Sequence, residues 1–173
     1  LRDSLKALFD GTLKNPSEDR LVSHTLYRDK TPAENFQLII TEREKIHNFL
    51  KQKNINSNFK NLVCLSIGGS RLGPELLSEF LSSDGPLNIF YCSSYDLLEL
   101  NNVLRNCKQH ETLVFASSKS FETSEILKNL DHVKSWFQEN PDINFRDHLY
   151  GISANTHAMN SFGIKESNQF LLL

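Results

Sequence analysis

The residues best suited to chemistry lie in Ser117-Ser118-Lys119-Ser120-Phe121-Glu122-Thr123-Ser124-Glu125, which gathers five hydroxyls and one lysine where a helix is expected to begin. A helix amino terminus offers unpaired N–H groups and a partial positive charge, and serine or threonine hydroxyls add further donors. Capture of a small phosphate ester is the chemistry this favours. A plainer alternative stays open: Ser120 can be an ordinary N-cap with Thr123 in a capping pattern, and Lys119 can be a solvated charge.

A second loop, Ser66-Ile67-Gly68-Gly69-Ser70-Arg71-Leu72-Gly73-Pro74, pairs two glycines ahead of a proline. Such glycines let a backbone approach a ligand closely and aim N–H groups at it, and Pro74 suits the first turn of a following helix. Alone, the loop reads more readily as a turn and a cap. Other phosphate motifs are excluded by spacing, because Gly68, Gly69 and Gly73 do not form GxGxxG and no GxxxxGK[ST] occurs. The histidines at 24, 47, 110, 132, 148 and 157 are scattered, with no HExxH, so no metal site is expected. His110 and His132 read as surface residues.

Five short apolar runs must position these loops: Leu62 to Ile67, Leu87 to Cys92, Thr112 to Ala116, His148 to Ser153 and Gln169 to Leu173. Helical periodicity fills the gaps over Gly73 to Leu81, Tyr95 to Asn106 and Phe121 to Gln138. This alternation predicts an α/β fold, a doubly wound five-stranded parallel sheet with flanking helices over residues 61–173. Both hydroxyl-rich loops leave carboxyl ends of strands and therefore share one edge. Residues 1–60 are expected to form a helical segment packing on this domain, with Leu5, Leu8 and Phe9 in one pattern and Phe36, Ile39, Ile40, Ile46, Phe49 and Leu50 in another. Asn15-Pro16-Ser17-Glu18 is the clearest loop there.

The chain has 173 residues, 39% hydrophobic and 23% charged, with a net charge of -2, the balance of a soluble globular protein. No nucleic-acid partner is expected, since a phosphate-backbone binder shows a net basic face. No run approaches the roughly 20 apolar residues needed to cross a bilayer, so no membrane association and a cytoplasmic location are expected. Cys64, Cys92 and Cys107 form no CxxC pair and read as buried, reduced thiols. The chain opens on Leu1 and closes on the apolar run Phe170-Leu171-Leu172-Leu173, and both ends suggest a fragment.

These loops resemble the sugar isomerase (SIS) domain of the glucose-6-phosphate isomerase family. Ile67-Gly68-Gly69-Ser70-Arg71-Leu72-Gly73-Pro74 is similar to that family's Ile-Gly-Gly-Ser-Asp-Leu-Gly-Pro, departing at Arg71. Ser118-Lys119-Ser120-Phe121-Glu122-Thr123-Ser124-Glu125-Ile126 is similar to Ser-Lys-Thr-Phe-Thr-Thr-x-Glu-Thr, with Glu122 and Ile126 the clear departures. The segment from Asn15 through His24 and Arg28 resembles Thr-Glu-x-Arg-x-x-x-His, and Trp136-Phe137, Ser153-Ala154-Asn155 and Phe162-Gly163-Ile164 also find counterparts.

The resemblance implies a cofactor-free and metal-free homodimer of glycolysis and gluconeogenesis, of which this chain is the amino-terminal part. The implied reaction interconverts glucose 6-phosphate and fructose 6-phosphate through an enediol, with a glutamate as base. It also implies that Ser118, Ser120 and Thr123 hold the hexose phosphate through hydroxyls, Lys119 through its backbone N–H, and that Gly69 and Ser70 line the sugar. Glu122 would place a carboxylate beside a dianion unless its side chain turns to solvent. The glutamate, a Gly-Gly-Arg segment, and a ring-opening histidine and lysine are all expected beyond Leu173, so no catalytic residue is expected here and the isolated chain is expected to be inert. The alternatives are a non-enzymatic sugar-phosphate sensor, which would carry a basic helix-turn-helix arm not seen in residues 1–60, and the isomerase half of an amino-sugar synthase, which would lack the 17–24 segment.

Overall fold

The computed structural model describes residues 2–16, 19–22, 37–52, 58–81 and 87–172. Two compact units divide between Lys51 and Gln52, ahead of the junction expected at Lys60. In the first, α1 (Arg2–Phe9) is followed by a small antiparallel ladder of β1 (Lys14–Asn15) and β2 (Arg20–Leu21), and α2 spans Gln37–Gln52. The ladder was not expected; beside it Lys14 and Asp19 pair at 3.0 Å. That pair is exposed and contributes little. Ser17, Glu18, His24 and Arg28 of the expected motif lie outside the described residues.

The second unit carries five parallel strands: β3 (Asn61–Ser66), β4 (Asn88–Cys92), β5 (Thr112–Ser117), β6 (Leu149–Ser153) and β7 (Gln169–Leu171). Their order in the sheet is β4-β3-β5-β6-β7. After β4 the chain reverses direction across the sheet, so β3 and β5 become neighbours and a topological switch point opens between their carboxyl ends. Following β3 comes α3 (Gly69–Leu81), whereas α4 (Leu98–Arg105), α5 (Ser124–Gln138) and α6 (Thr156–Phe162) share one face of the sheet, where their buried side chains form a single cluster with those of β3 and β5.

The main core lies under the last three helices. Val63, Leu65, Val114 and Ala116 are fully buried on that face and meet Leu100 and Leu104 of α4, Ile126, Leu130, Val133 and Phe137 of α5, and Met159 of α6. Gly151 makes the approach of α6 possible: a Cβ there would lie 2.6 Å from the Met159 sulfur and 2.8 Å from Ile164 Cδ1. The opposite face is aromatic, with Phe115 stacked on Tyr150 at 4.9 Å and Leu113 and Phe170 buried beside them.

Strands fall close to their expected positions, whereas three helix starts do not. Ser94 and Asp96 side chains accept the N–H groups of Asp96 and Leu98, which holds 95–97 as turns and delays α4 to Leu98. The other two displaced starts, of α3 and α5, belong to the candidate site. Among the described residues no helix is long and apolar enough to cross a membrane.

Candidate phosphate-binding site

The Gly68-Gly69 loop leaves β3 and the hydroxyl loop leaves β5, and the pairing of Ser66 with Ser117 brings both to the switch point. There a cavity of about 210 Å³ is lined by Ile67, Ser70, Ser117, Ser118, Lys119, Thr123 and Ile126. A larger cavity of about 310 Å³ runs along edge strand β4, but Glu75, Glu79 and Glu99 stand on its walls. Three carboxylates repel a dianion, so the smaller cavity is the better anion site.

Gly68 turns the chain out of β3 with φ +58, a conformation that a Cβ would strain. Its carbonyl then accepts the N–H groups of both Arg71 and Leu72 at 3.0 Å, which nucleates α3 directly. Hence α3 begins at Gly69, not Gly73, and Pro74 sits inside the helix rather than in its first turn. Lacking an N–H, Pro74 cannot close an intrahelical bond to the Ser70 carbonyl. A Cβ added at Gly69 would meet nothing within 4 Å, so open space stands above that residue.

The β5 loop is shaped by Phe121. Its backbone adopts φ +54, rare for a bulky residue, while its ring is 1% exposed in the core. Burying the ring offsets a backbone cost of about 1–2 kcal/mol. The left-handed residue interrupts helical geometry, so α5 starts at Ser124 and not at Phe121. Ser118, only 6% exposed, is the hub: its hydroxyl accepts the Phe121 N–H at 3.2 Å and lies 2.9 Å from the Thr123 hydroxyl.

Thr123 immediately precedes α5 and its hydroxyl makes no capping bond. The first helix hydrogen bond runs from Leu127 N–H to Thr123 O at 3.0 Å, so the amides of Ser124, Glu125 and Ile126 have no intrahelical carbonyl to meet. Unpaired amides and the partial positive charge of a helix end suit an anionic group such as a phosphate. Ser120 is not the N-cap; it is exposed, and its hydroxyl accepts the Glu122 N–H at 3.3 Å. Glu122 is itself exposed and absent from the cavity wall.

From the next strand, the fully buried Ser153 donates its hydroxyl to the Lys119 carbonyl at 2.9 Å, and Ala154 N–H donates to the same oxygen at 3.0 Å. The peptide is trans, so the Ser120 N–H points the opposite way, away from β6. Ser153 also accepts the Asn155 N–H at 3.0 Å, and Asn155 caps α6 through Ala158 N–H. Thus the Ser153-Ala154-Asn155 segment supports the loop from behind.

Of the six residues expected to bind, Ser70, Ser118, Lys119 and Thr123 converge on the cavity wall. Gly69 borders it by one residue, and Ser120 stands outside it on the exposed side of the loop. Ile67 and Ser117 lie in the two loops singled out but were not named as binding residues, and Ile126 was not anticipated; the sequence of one strand gives no hint of which strand ends will be neighbours. Ser66, 2% exposed, has a hydroxyl with no hydrogen-bond partner among the described residues.

Burial pushes the thiols of Cys64 and Cys92 up to about 12, so both stay protonated at neutral pH and are poor nucleophiles. Cys92 and Cys107 are buried as expected, but Cys64 is half-buried, and all three are free. His110 is exposed. His132 is half-buried, its Nε2 2.6 Å from Asn101 Oδ1, and ties α5 to α4. Among the described residues no group of three or more His, Cys, Asp or Glu converges as metal ligands.

The family profile of Phosphoglucose isomerase matches residues 1–173. This chain belongs to that family. It is 33% identical over 188 aligned residues to the glucose-6-phosphate isomerase of Pseudomonas fluorescens (strain Pf0-1), covering 98% of this chain and 34% of that protein. The same enzyme of Pseudomonas savastanoi pv. phaseolicola is 32% identical over the same shares. The crystal structure of a glucose-6-phosphate isomerase from Chlamydia trachomatis D/UW-3/Cx superposes with a TM-score of 0.83 at 26% identity, covering 98% of this chain and 35% of that one. The chain therefore spans about a third of the length of the relatives it matches.

Proposed function

We propose that the switch-point cavity of this family member holds the phosphate of a hexose phosphate, and that the chain takes part in the interconversion of glucose 6-phosphate and fructose 6-phosphate. One observation carries this reading: the Ser118–Thr123 hydroxyl pair sits at the amino end of α5, where the helix leaves its first amides without carbonyl partners. Ser70 on the facing loop supplies a donor from α3, and Lys119 supplies a positive charge. Gly69, with open space above it, fits a sugar passing close to the backbone. Ser120 acts through its backbone N–H rather than the hydroxyl expected of it.

Isomerisation needs a base that moves a proton between two adjacent carbons. Among the described residues lining the cavity there is no carboxylate and no imidazole, and Lys119 is the sole titratable group. We assign the cavity to binding and the proton transfer to the greater length that the relatives possess. A homodimer in the cytoplasm belongs to the same proposal and rests on the family alone.

Calorimetric titration of the chain with glucose 6-phosphate, beside glucose as control, tests the binding role. Saturable heat with the ester and none with the free sugar is expected; no heat with either rejects the proposal. A coupled assay for fructose 6-phosphate on the same sample is expected to stay at background, and turnover there would overturn the division between binding and proton transfer.

A further inference from the structure

Arg71, where the first loop departs from the family pattern, does not reach toward the cavity as a spare cation. Its Nε and Nη2 donate to the two oxygens of Glu75 at 2.9 and 3.0 Å, while Nη1 donates to the Ser93 hydroxyl and lies 3.5 Å from Glu99 Oε1. Two carboxylates face one guanidinium, which leaves no net positive charge for a ligand. Glu99 turns its other oxygen to the N–H groups of Ser93 and Ser94, at 3.1 and 3.3 Å. The Ser94 carbonyl in turn accepts the side-chain amide of Asn129 at 3.2 Å, and Asn129 is wholly buried on α5.

A continuous line of polar contacts thus runs from α3, over the loop that follows β4, to α5. Its two ends stand next to the two walls of the cavity: Ser70 precedes Arg71, and Thr123 and Ile126 open the helix that holds Asn129. The two walls differ in how they are fixed. Among the described residues α5 has Ile126, Leu130, Val133 and Phe137 buried, whereas α3 has none fully buried and only Ser70, Arg71, Glu75 and Ser78 half-buried. Core packing therefore holds α5 more firmly than α3, and directional polar contacts add to what holds α3.

We propose that Arg71, Glu99 and Asn129 are positioning residues forming a brace that sets the distance between Ser70 and the hydroxyl loop across the phosphate cavity. The proposal rests on the phosphate reading of that cavity. Its mechanical part is independent, because the brace controls the amino end of α3 whether or not a ligand binds.

The test uses the full chain with inorganic phosphate as ligand and amide hydrogen exchange as a second readout. Arg71→Met is expected to weaken phosphate by about tenfold, the effect of losing alignment of one donor to a charged group. It should also speed exchange of the Arg71 and Leu72 amides. Asn129→Leu should act in the same direction, and the double variant should lose less than the two effects combined, because both cut one line. Glu99→Gln, which keeps an acceptor oxygen, is the milder variant if Arg71→Met does not fold. Lys60→Met is the control: it breaks a 2.7 Å ion pair with Glu111 at the opposite edge of the sheet and should leave phosphate binding unchanged.

Unchanged affinity and exchange in Arg71→Met and Glu99→Gln overturn the brace while leaving the phosphate reading intact. Failure of the unaltered chain to bind phosphate rejects that reading instead, and with it the claim about cavity width, while exchange at Arg71 and Leu72 still decides whether the brace holds α3. An equal loss of affinity in Lys60→Met would reduce Arg71 to a general stabiliser and refute the positional role.

Discussion

Ser118→Ala removes the hub of the hydroxyl loop, and its two consequences separate cleanly. The Phe121 N–H, on a residue 1% exposed, loses the acceptor it now has at 3.2 Å. A buried unpaired amide costs about 1–3 kcal/mol, and a domain of this size loses roughly 2–4 °C of Tm per kcal/mol. Thermal unfolding followed by circular dichroism should therefore shift down by several degrees. The second consequence concerns the ligand. A hydroxyl donating to a charged group contributes about 1.5–3 kcal/mol, so affinity for glucose 6-phosphate should drop by about 10- to 150-fold in calorimetric titration. A lowered Tm with unchanged affinity would show that Ser118 only shapes the loop. Unchanged values of both would mean that the hydroxyl is not the hub its contacts indicate.

Further predictions address the loop, the core and the charges. Phe121→Gly should be more stable than Phe121→Ala in urea unfolding, because both lose the ring but only alanine keeps the strain of φ +54; the reverse order would argue against a left-handed residue there. Gly151→Ala should cost about 1–3 kcal/mol by overpacking against Met159 and Ile164, read from the same unfolding curves, and a neutral result would show that α6 does not approach β6 so closely. Stability should decline as pH rises above the ordinary thiol value of 9.0 toward about 12, since the unfolded chain releases the Cys64 and Cys92 protons that the folded chain retains. Glu75 and Glu111, held below the usual 4.5 chiefly by hydrogen bonds from Arg71 and Lys60, make the opposite contribution: it is present above that value and fades as pH falls below it. A flat stability profile across both windows would contradict these assignments.

Much of the sheet was legible because strands of a parallel sheet read as short continuous apolar runs rich in β-branched and aromatic residues, set between polar loops. That the two loops would share one edge of the sheet was legible from their hydroxyls and glycines at strand ends. What stayed hidden depends on contacts between distant parts of the chain. Nothing local says that β3 and β5 are neighbours, and that pairing is what brings Ser70 to Ser118 and adds Ser117 and Ile126 to the wall. Helix starts failed for a different reason. Phe121 carries the apolar periodicity of α5, yet its backbone is left-handed because burying its ring matters more than continuing the helix. Gly68, by contrast, takes two N–H groups on one carbonyl and starts α3 early, which leaves Pro74 inside it. Arg71 stood out in the sequence only as a departure; its role as a tie to Glu75, Ser93 and Glu99 depends on where the β4 loop folds back.

The most direct measurement is amide shift mapping of the isotopically labelled chain during titration with inorganic phosphate. Saturable shifts are expected, centred on Ser118, Ser120 and Ser124 to Ile126, with Ser70 responding from the facing wall. Shifts that gather instead around Glu75, Glu79 and Glu99 along β4, or no saturable shift at all, would contradict phosphate binding at the switch-point cavity.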